Sequence, residues 1–444
     1  MTLNLKKGLD LDLAGAIENT APPEAVSVSE CAVIPDDFSG FVPKLDVKEG
    51  DKVTQGQPLL RDKSREAVKL VAPACGTVKE VVRGERRKIE RVVIAIEGDE
   101  SVKFDVSVAN DKPKAIQLLC LSGMLAKMRQ RPYDIVPDPE ITPRDIFVTA
   151  MDTAPLSPGL AALCSLDAKA LAAAVKLLST LTDGKVYIST GSDWKLGDIP
   201  GAEMVEVTGK HPAGTVGAQI ANIKPVNKGE TVWTLDIVTL NKIGTLLLTG
   251  KADTTTTVAL TGSEVKRPHL VSTIEGAQVA PIISGQLSNP DKHVRIISGN
   301  VLTGASVGAD GYLRFPYRQI TVIPEGDTAD EFMGWASLSP KKMSANRSFL
   351  GHFFGHKFAP DARLLGGRRA MIMSGEYDKV MPMDIMPEYL LKAIMAKDIE
   401  QMEKLGIYEV APEDFALAEY VDTSKQPLQK IVRDGLEYLR KELG

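Results

Sequence analysis

Four patterns of apolar and polar positions succeed one another along the chain. Over about residues 25–100, short runs of Val, Leu and Ile are broken by the turn signals "GDKV", "QGQP", "ACGT" and "RGER", which predicts a compact all-β unit. Strands then alternate with a helical pattern. "DIFVTAMD" (145–152) precedes a helix starting at Asp167 with Leu171, Ala174, Val175 and Leu178 on one face, and "KVYIST" (185–190), "EMVEVTG" (203–209) and "TVWTLD" (231–236) follow. That alternation predicts an α/β layer domain with a largely parallel sheet. Strand character returns around the short apolar segment "VAPII", as in a small β-grasp-like unit. The last part turns helical. In "PEYLLKAIMAKDIEQMEKLG", Leu391, Ile394, Met395, Ile399, Met402 and Leu405 keep helical spacing and Gly406 supplies a C-cap. A final helix begins near Ser424 and Pro427, with Leu428, Ile431, Val432, Leu436 and Leu439 on its apolar face. The expected fold class is multidomain α/β plus β, in units at 1–104, 105–255, 256–330 and 331–444.

Composition agrees with several packed domains: 43% of the 444 residues are apolar and 25% charged. The net charge of −5 argues against a non-specific nucleic-acid binder, and the basic run "RGERRK" (83–88) reads as a solvated hairpin turn. No run approaches the ~18–20 apolar residues of a membrane span, and the start lacks a secretory core. A cytoplasmic protein is expected, meeting membrane only through partners. Cys31, Cys75, Cys120 and Cys164 form no C-x-x-C pair, so free thiols are expected rather than a metal site.

The strongest chemical motif is "VKEGDKVTQGQPLLRDKSREAVKLVAPACGTVKEVV" (47–82), which matches both halves of a biotinyl or lipoyl carrier barrel. Gly50, Gly56 and Gly76 are suited to the positive φ of tight turns. Lys63 lies nine residues before Ala72 and has Asp62 and Ser64 beside it, wrong in spacing and flanks for a carried cofactor, so an unmodified structural barrel is expected. No Gly-rich nucleotide loop occurs; "HPAGTVGAQI" (211–220) is a candidate anion-binding turn but reads more readily as a tight loop. His352 and His356 in "GHFFGHKF" lack the Glu of a zincin, and Gly355 between them disfavours a helix. No G-x-S-x-G elbow or triad order is present, so neither a catalytic centre nor a metal site is expected.

Taken in order, a carrier-like barrel, a Rossmann-like domain, a β-grasp segment of the soluble-ligand-binding (SLBB) type and a helical tail resemble the NqrA family, the A subunits of sodium-translocating NADH:quinone reductases, with kinship to the Rnf complex C subunit and the NADH-oxidising subunit of complex I. The resemblance rests on "KKGLDLDLAG", "FVTAMDTAPL", "GKHPAG", "VRIISGNVLTG", "NRSFLGH" and "GEYDKVMPMDIMP". Where those kin carry a flavin and NADH loop this chain reads "SGMLAKMRQRPYDIVP" (122–137), and no cysteine stands in 375–387. The resemblance therefore implies a cofactor-free peripheral subunit on the cytoplasmic side of the bacterial inner membrane. Ubiquinone or menaquinone would be the substrate of the complex, flavins and iron–sulfur centres would lie in partner subunits, and the membrane-embedded B subunit would be the chief contact. It also implies quinone contact at Ile34–Phe41 and Arg131–Pro137, which gives Ile34, Phe38, Gly40, Phe41, Arg131 and Tyr133 as candidate site residues. Phe38, Phe41 and Tyr133 are able to stack on a quinone ring, and equally to fill a domain interface. Two roles stay open, quinone contact and a purely structural adaptor, with NADH or flavin binding as a further alternative.

Overall fold

A computed structural model describes residues 1–19, 21–194, 196–327, 339–345, 349–354 and 356–443. The carrier-like motif forms two facing sheets. One runs Glu30–Val33, Ile89–Ile96, Gly76–Arg83, Lys52–Val53; the other runs Pro43–Leu45, Pro58–Asp62, Lys69–Val71. This is a barrel-sandwich hybrid, filled by Val47, Val53, Leu59, Leu60, Val78 and Ile94. Gly50 and Gly56 take the positive φ of tight turns (86° and 84°). Gly76 does not: it is needed because a Cβ there would lie 1.9 Å from the Ala95 carbonyl oxygen across the strand pair. "RGERRK" is the exposed turn between the two longest barrel strands.

The second unit is a six-stranded sheet in the order Thr2–Leu5, Ala202–Gly209, Val186–Gly191, Ile146–Ala150, Val232–Asp236, Arg129–Arg131, parallel except for the last pair. Both faces are covered, as parallel sheets require. Ile146, Val148 and Ala150 point toward the core that includes helices Ala168–Leu181 and Ile237–Thr249, whereas Phe147 packs with Ile220 of helix Val216–Ile223 on the other face. Asp167 and Asp236 cap their helices by accepting from the Lys169 and Thr239 amides. Thr2–Leu5, grouped with the barrel on sequence alone, is instead an edge strand of this sheet.

The two large helices meet at Gly244, where a Cβ would fall 1.9 Å from the Ala170 carbonyl oxygen. Gly244→Ala is expected to force them apart and cost about 1–3 kcal/mol, measured by urea unfolding; unchanged stability would show that the pair can slide.

The third unit pairs Thr255–Thr261 parallel with Gln319–Pro324 and antiparallel with His269–Ile274, next to the short helix Val279–Ile283, as expected of a β-grasp segment. Glu24–Ala25, also grouped with the barrel from sequence, adds to its edge. The C-terminal helices enclose a separate core of Tyr377, Leu390, Leu391, Phe415, Leu428 and Leu436. The helix predicted through residue 405 is broken. Pro387–Ala396 ends at Lys397, whose φ is 57°, and Asp398 caps Ile399–Lys404 by accepting from the Gln401 amide. Met395 consequently faces outward, 55% exposed, and Leu390 takes the inner position. No helix among the described residues is long and apolar enough to cross a membrane.

Candidate functional site

Two adjoining recesses lie where the four units meet, sharing a wall made by Arg314–Arg318, Asp37 and Lys127. The smaller, of about 80 Å³, is walled by Ile34, Phe38, Leu70, Val71 and Leu313. The larger, of about 530 Å³, opens at the carboxyl ends of strands Ile146–Ala150 and Val232–Asp236. The chain crosses from the first of these strands to Val186–Gly191 on one side, and the second strand lies on the other. In open α/β sheets this reversal of strand order leaves the crevice where ligands bind.

The shared wall joins aromatic and charged groups. Phe38 and Phe315 stack with ring centroids 5.1 Å apart and planes 7° from parallel. The guanidinium of Arg129 stands 5.5 Å from the Phe315 centroid. Arg314 Nε donates to Asp37 (2.5 Å), which also accepts from the Phe315 amide (2.9 Å). Burial pushes Asp37 up to about 6 despite Arg314 and Arg129, so it titrates close to neutrality.

The two segments implicated by resemblance do come together. Arg65, near the hairpin position a carrier gives to its lysine, donates to the Gly40 (2.9 Å), Val136 (2.7 Å) and Pro137 (3.2 Å) carbonyls, and it pairs with the fully buried Asp62. The hairpin therefore acts as a clamp on both loops. Of the six residues singled out in them, Ile34 and Phe38 wall a recess. The other four do not. Gly40 has φ +77°, and a Cβ there would strike Ile135 at 2.8 Å. Phe41, 7% exposed, belongs to the barrel core. Arg131, 1% exposed, ion-pairs with Asp414 at 2.8 Å and Glu413 at 3.3 Å. Tyr133 is half-buried against the C-terminal helical core, and its carbonyl accepts from Arg433 (3.0 Å). Gly40, Phe41, Arg131 and Tyr133 thus support the site from behind.

Sequence reasoning missed Phe315, Arg129, Lys127 and the Arg314–Arg318 wall. The interleaved aromatics and arginines of "YLRFPYR" (312–318) were the available signal. The "HPAGTVGAQI" turn leads into helix Val216–Ile223, whose positive end would favour an anion. Its first turn already faces the chain's own Asp414, since a Cβ on Gly217 would fall 2.0 Å from Asp414 Oδ1. Of the histidine pair, the His352 side chain and Gly355 lie outside the described residues, and the His356 ring packs on Phe358 (4.4 Å). Among the described residues no group of three or more His, Cys, Asp or Glu is arranged to hold a metal.

Three family models match the chain: the NqrA N-terminal barrel-sandwich hybrid domain over residues 3–97, the NqrA second alpha/beta domain over 111–252, and the NQRA C-terminal domain over 257–309. The A subunit of the Na(+)-translocating NADH-quinone reductase of Neisseria meningitidis serogroup B (strain ATCC BAA-335 / MC58) is 37% identical over 449 residues, covering 99% of this chain and 100% of that one. The proteins of the same description from Serratia proteamaculans (strain 568), 37% identical over 456 residues, and Marinomonas sp. (strain MWYL1), 37% over 445, cover 99% of this chain and 100% and 99% of their own.

Proposed function

The chain belongs to the NqrA family, the A subunits of Na(+)-translocating NADH-quinone reductases, and from that membership we propose that it is a cofactor-free peripheral subunit contributing to quinone binding and reduction. The observation that carries the quinone role is the Phe38–Phe315 stack, in which Phe315 belongs to the wall shared by the two recesses and Phe38 to the smaller one, with Arg129 beside the Phe315 ring. A planar ring gains from aromatic faces, and its carbonyl oxygens need donors.

In this reading the chain lies on the cytoplasmic side of the membrane and docks on the membrane-embedded B subunit, ubiquinone or menaquinone is the substrate of the complex, and flavins and iron–sulfur centres reside in partner subunits. Docking is supported by apolar side chains left open on the C-terminal part: Ile372, Met386 and Tyr389 are 58%, 60% and 57% exposed. The structural-adaptor reading has its own support, since four of the six residues singled out by resemblance serve as ties and packing.

Titration of the full chain with a short-chain ubiquinone separates the two. Saturable binding is expected, weakened about two- to tenfold by Phe38→Ala and by Phe315→Ala, as the loss of one aromatic contact of roughly 0.5–1.5 kcal/mol predicts. Undiminished pump activity in complexes carrying both variants, with no saturable binding, would leave the adaptor.

A further inference from the structure

Five cations and six carboxylates line the larger recess, and three of the cations pair directly. Arg318 pairs with Asp236 (2.5 and 3.2 Å), Arg314 with Asp37 (2.5 Å), and Arg433 with Asp134. The other two, Arg129 and Lys127, are held differently. Among the described residues Arg129 has no carboxylate in hydrogen-bond contact: Nη2 donates to the Asp37 carbonyl (2.6 Å), and Nη1 is buried with no partner. Lys127 shares Glu275 with Lys242, at 2.6 Å each, so two buried ammonium groups face one carboxylate. Burial alone would raise Glu275, but the two lysines outweigh it and hold it at about 2.

A buried guanidinium donor without an acceptor is costly, and an incoming oxygen carrying negative charge would satisfy it. The Arg129 guanidinium also stands 5.5 Å from the centroid of the Phe315 ring that stacks on Phe38. Resting on the quinone reading above, we infer that Arg129 Nη1, with Lys127 behind it, seats the quinone oxygen on which negative charge builds during reduction. Overall the quinone takes two electrons and two protons to become quinol, with NADH supplying the electrons through the complex. The first electron puts charge on the carbonyl oxygens before protonation, and at that moment a guanidinium donor that has no acceptor lowers the energy of the intermediate most.

The test compares two naphthoquinones of nearly equal size, one bearing a methyl and an ionised hydroxyl, the other two methyls, by equilibrium titration of the full chain at neutral pH. The anionic ring is expected to bind about tenfold tighter, roughly 1.4 kcal/mol. Arg129→Gln should erase that preference and Arg129→Lys retain part of it. Equal binding of both rings to the native chain would overturn the inference while leaving the quinone reading intact. A preference that survives Arg129→Gln would overturn the assignment of Arg129. Failure of both rings to bind would remove the quinone reading and this inference with it. The native-chain comparison is decisive even if a variant fails to fold.

Discussion

Glu275→Gln is expected to destabilise the chain by about 3–5 kcal/mol at neutral pH, because it leaves two buried lysines without their anion. Lys127 and Lys242 are 8% and 4% exposed, and both bond the same carboxylate at 2.6 Å. The pH dependence follows from the depressed proton affinity of Glu275. Its folded value of about 2 lies below the ordinary 4.5, so the native state binds fewer protons than the unfolded chain between those limits. The stabilisation is therefore complete above about pH 4.5 and is lost progressively as pH falls through about 2, a total of roughly 3 kcal/mol. Urea unfolding of native and Glu275→Gln chains should show a wide gap at pH 7 that narrows from about pH 4.5 downward. A gap that stays constant to pH 3 would show that the lysines do not hold Glu275 ionised. Lys242→Met added to Glu275→Gln should recover part of the loss, since it removes one of the two stranded charges.

Arg131→Met carries the second large expected effect, for a different reason: it unfastens the helical unit from the sheet. Arg131 ends the antiparallel edge strand, is 1% exposed, and bonds Asp414 (2.8 Å) and the Glu409 carbonyl (3.0 Å). Removing it strands a 4%-exposed carboxylate, at a cost of about 3–5 kcal/mol. Hydrogen exchange should speed up first in helix Leu428–Leu443 and around Pro412–Phe415, with the sheet still protected. The double change Arg131→Gln with Asp414→Asn should cost less than Arg131→Met alone, because no charge is left buried and the Ala411 amide, which donates to Asp414 at 2.8 Å, keeps its acceptor. Equal losses in the two variants would show that the packing of Arg131, and not its charge, holds the unit.

Local signals proved sufficient wherever the physics is local. The alternation of Ile146, Phe147 and Val148 marks a strand buried on both faces, the Asp167 cap marks a helix start, and the glycines of the carrier motif mark its turns. The Lys397–Asp398 break was less visible, since an apolar spacing can continue across a residue that leaves the helix. Thr2–Leu5 was invisible as a member of the α/β sheet, because four residues carry no period and its partners are residues 206–209.

The candidate site divides along the same line. Residue order and turn chemistry determined the succession of barrel, α/β, β-grasp and helical units, and the resemblance those units carry implied the family and the two segments that converge on the recesses. Which side chains face the cavity was decided by contacts between residues far apart in the chain. Phe38 meets Phe315, Arg131 is consumed by Asp414 across 283 positions, and Arg65 ties Gly40 to Val136. An arginine reads the same in sequence whether a carboxylate neutralises it or its donor is left open, as in Arg129. Only the packed structure brings the neutralising groups near or withholds them, because the strength of a charge depends on its partners and its distance from water.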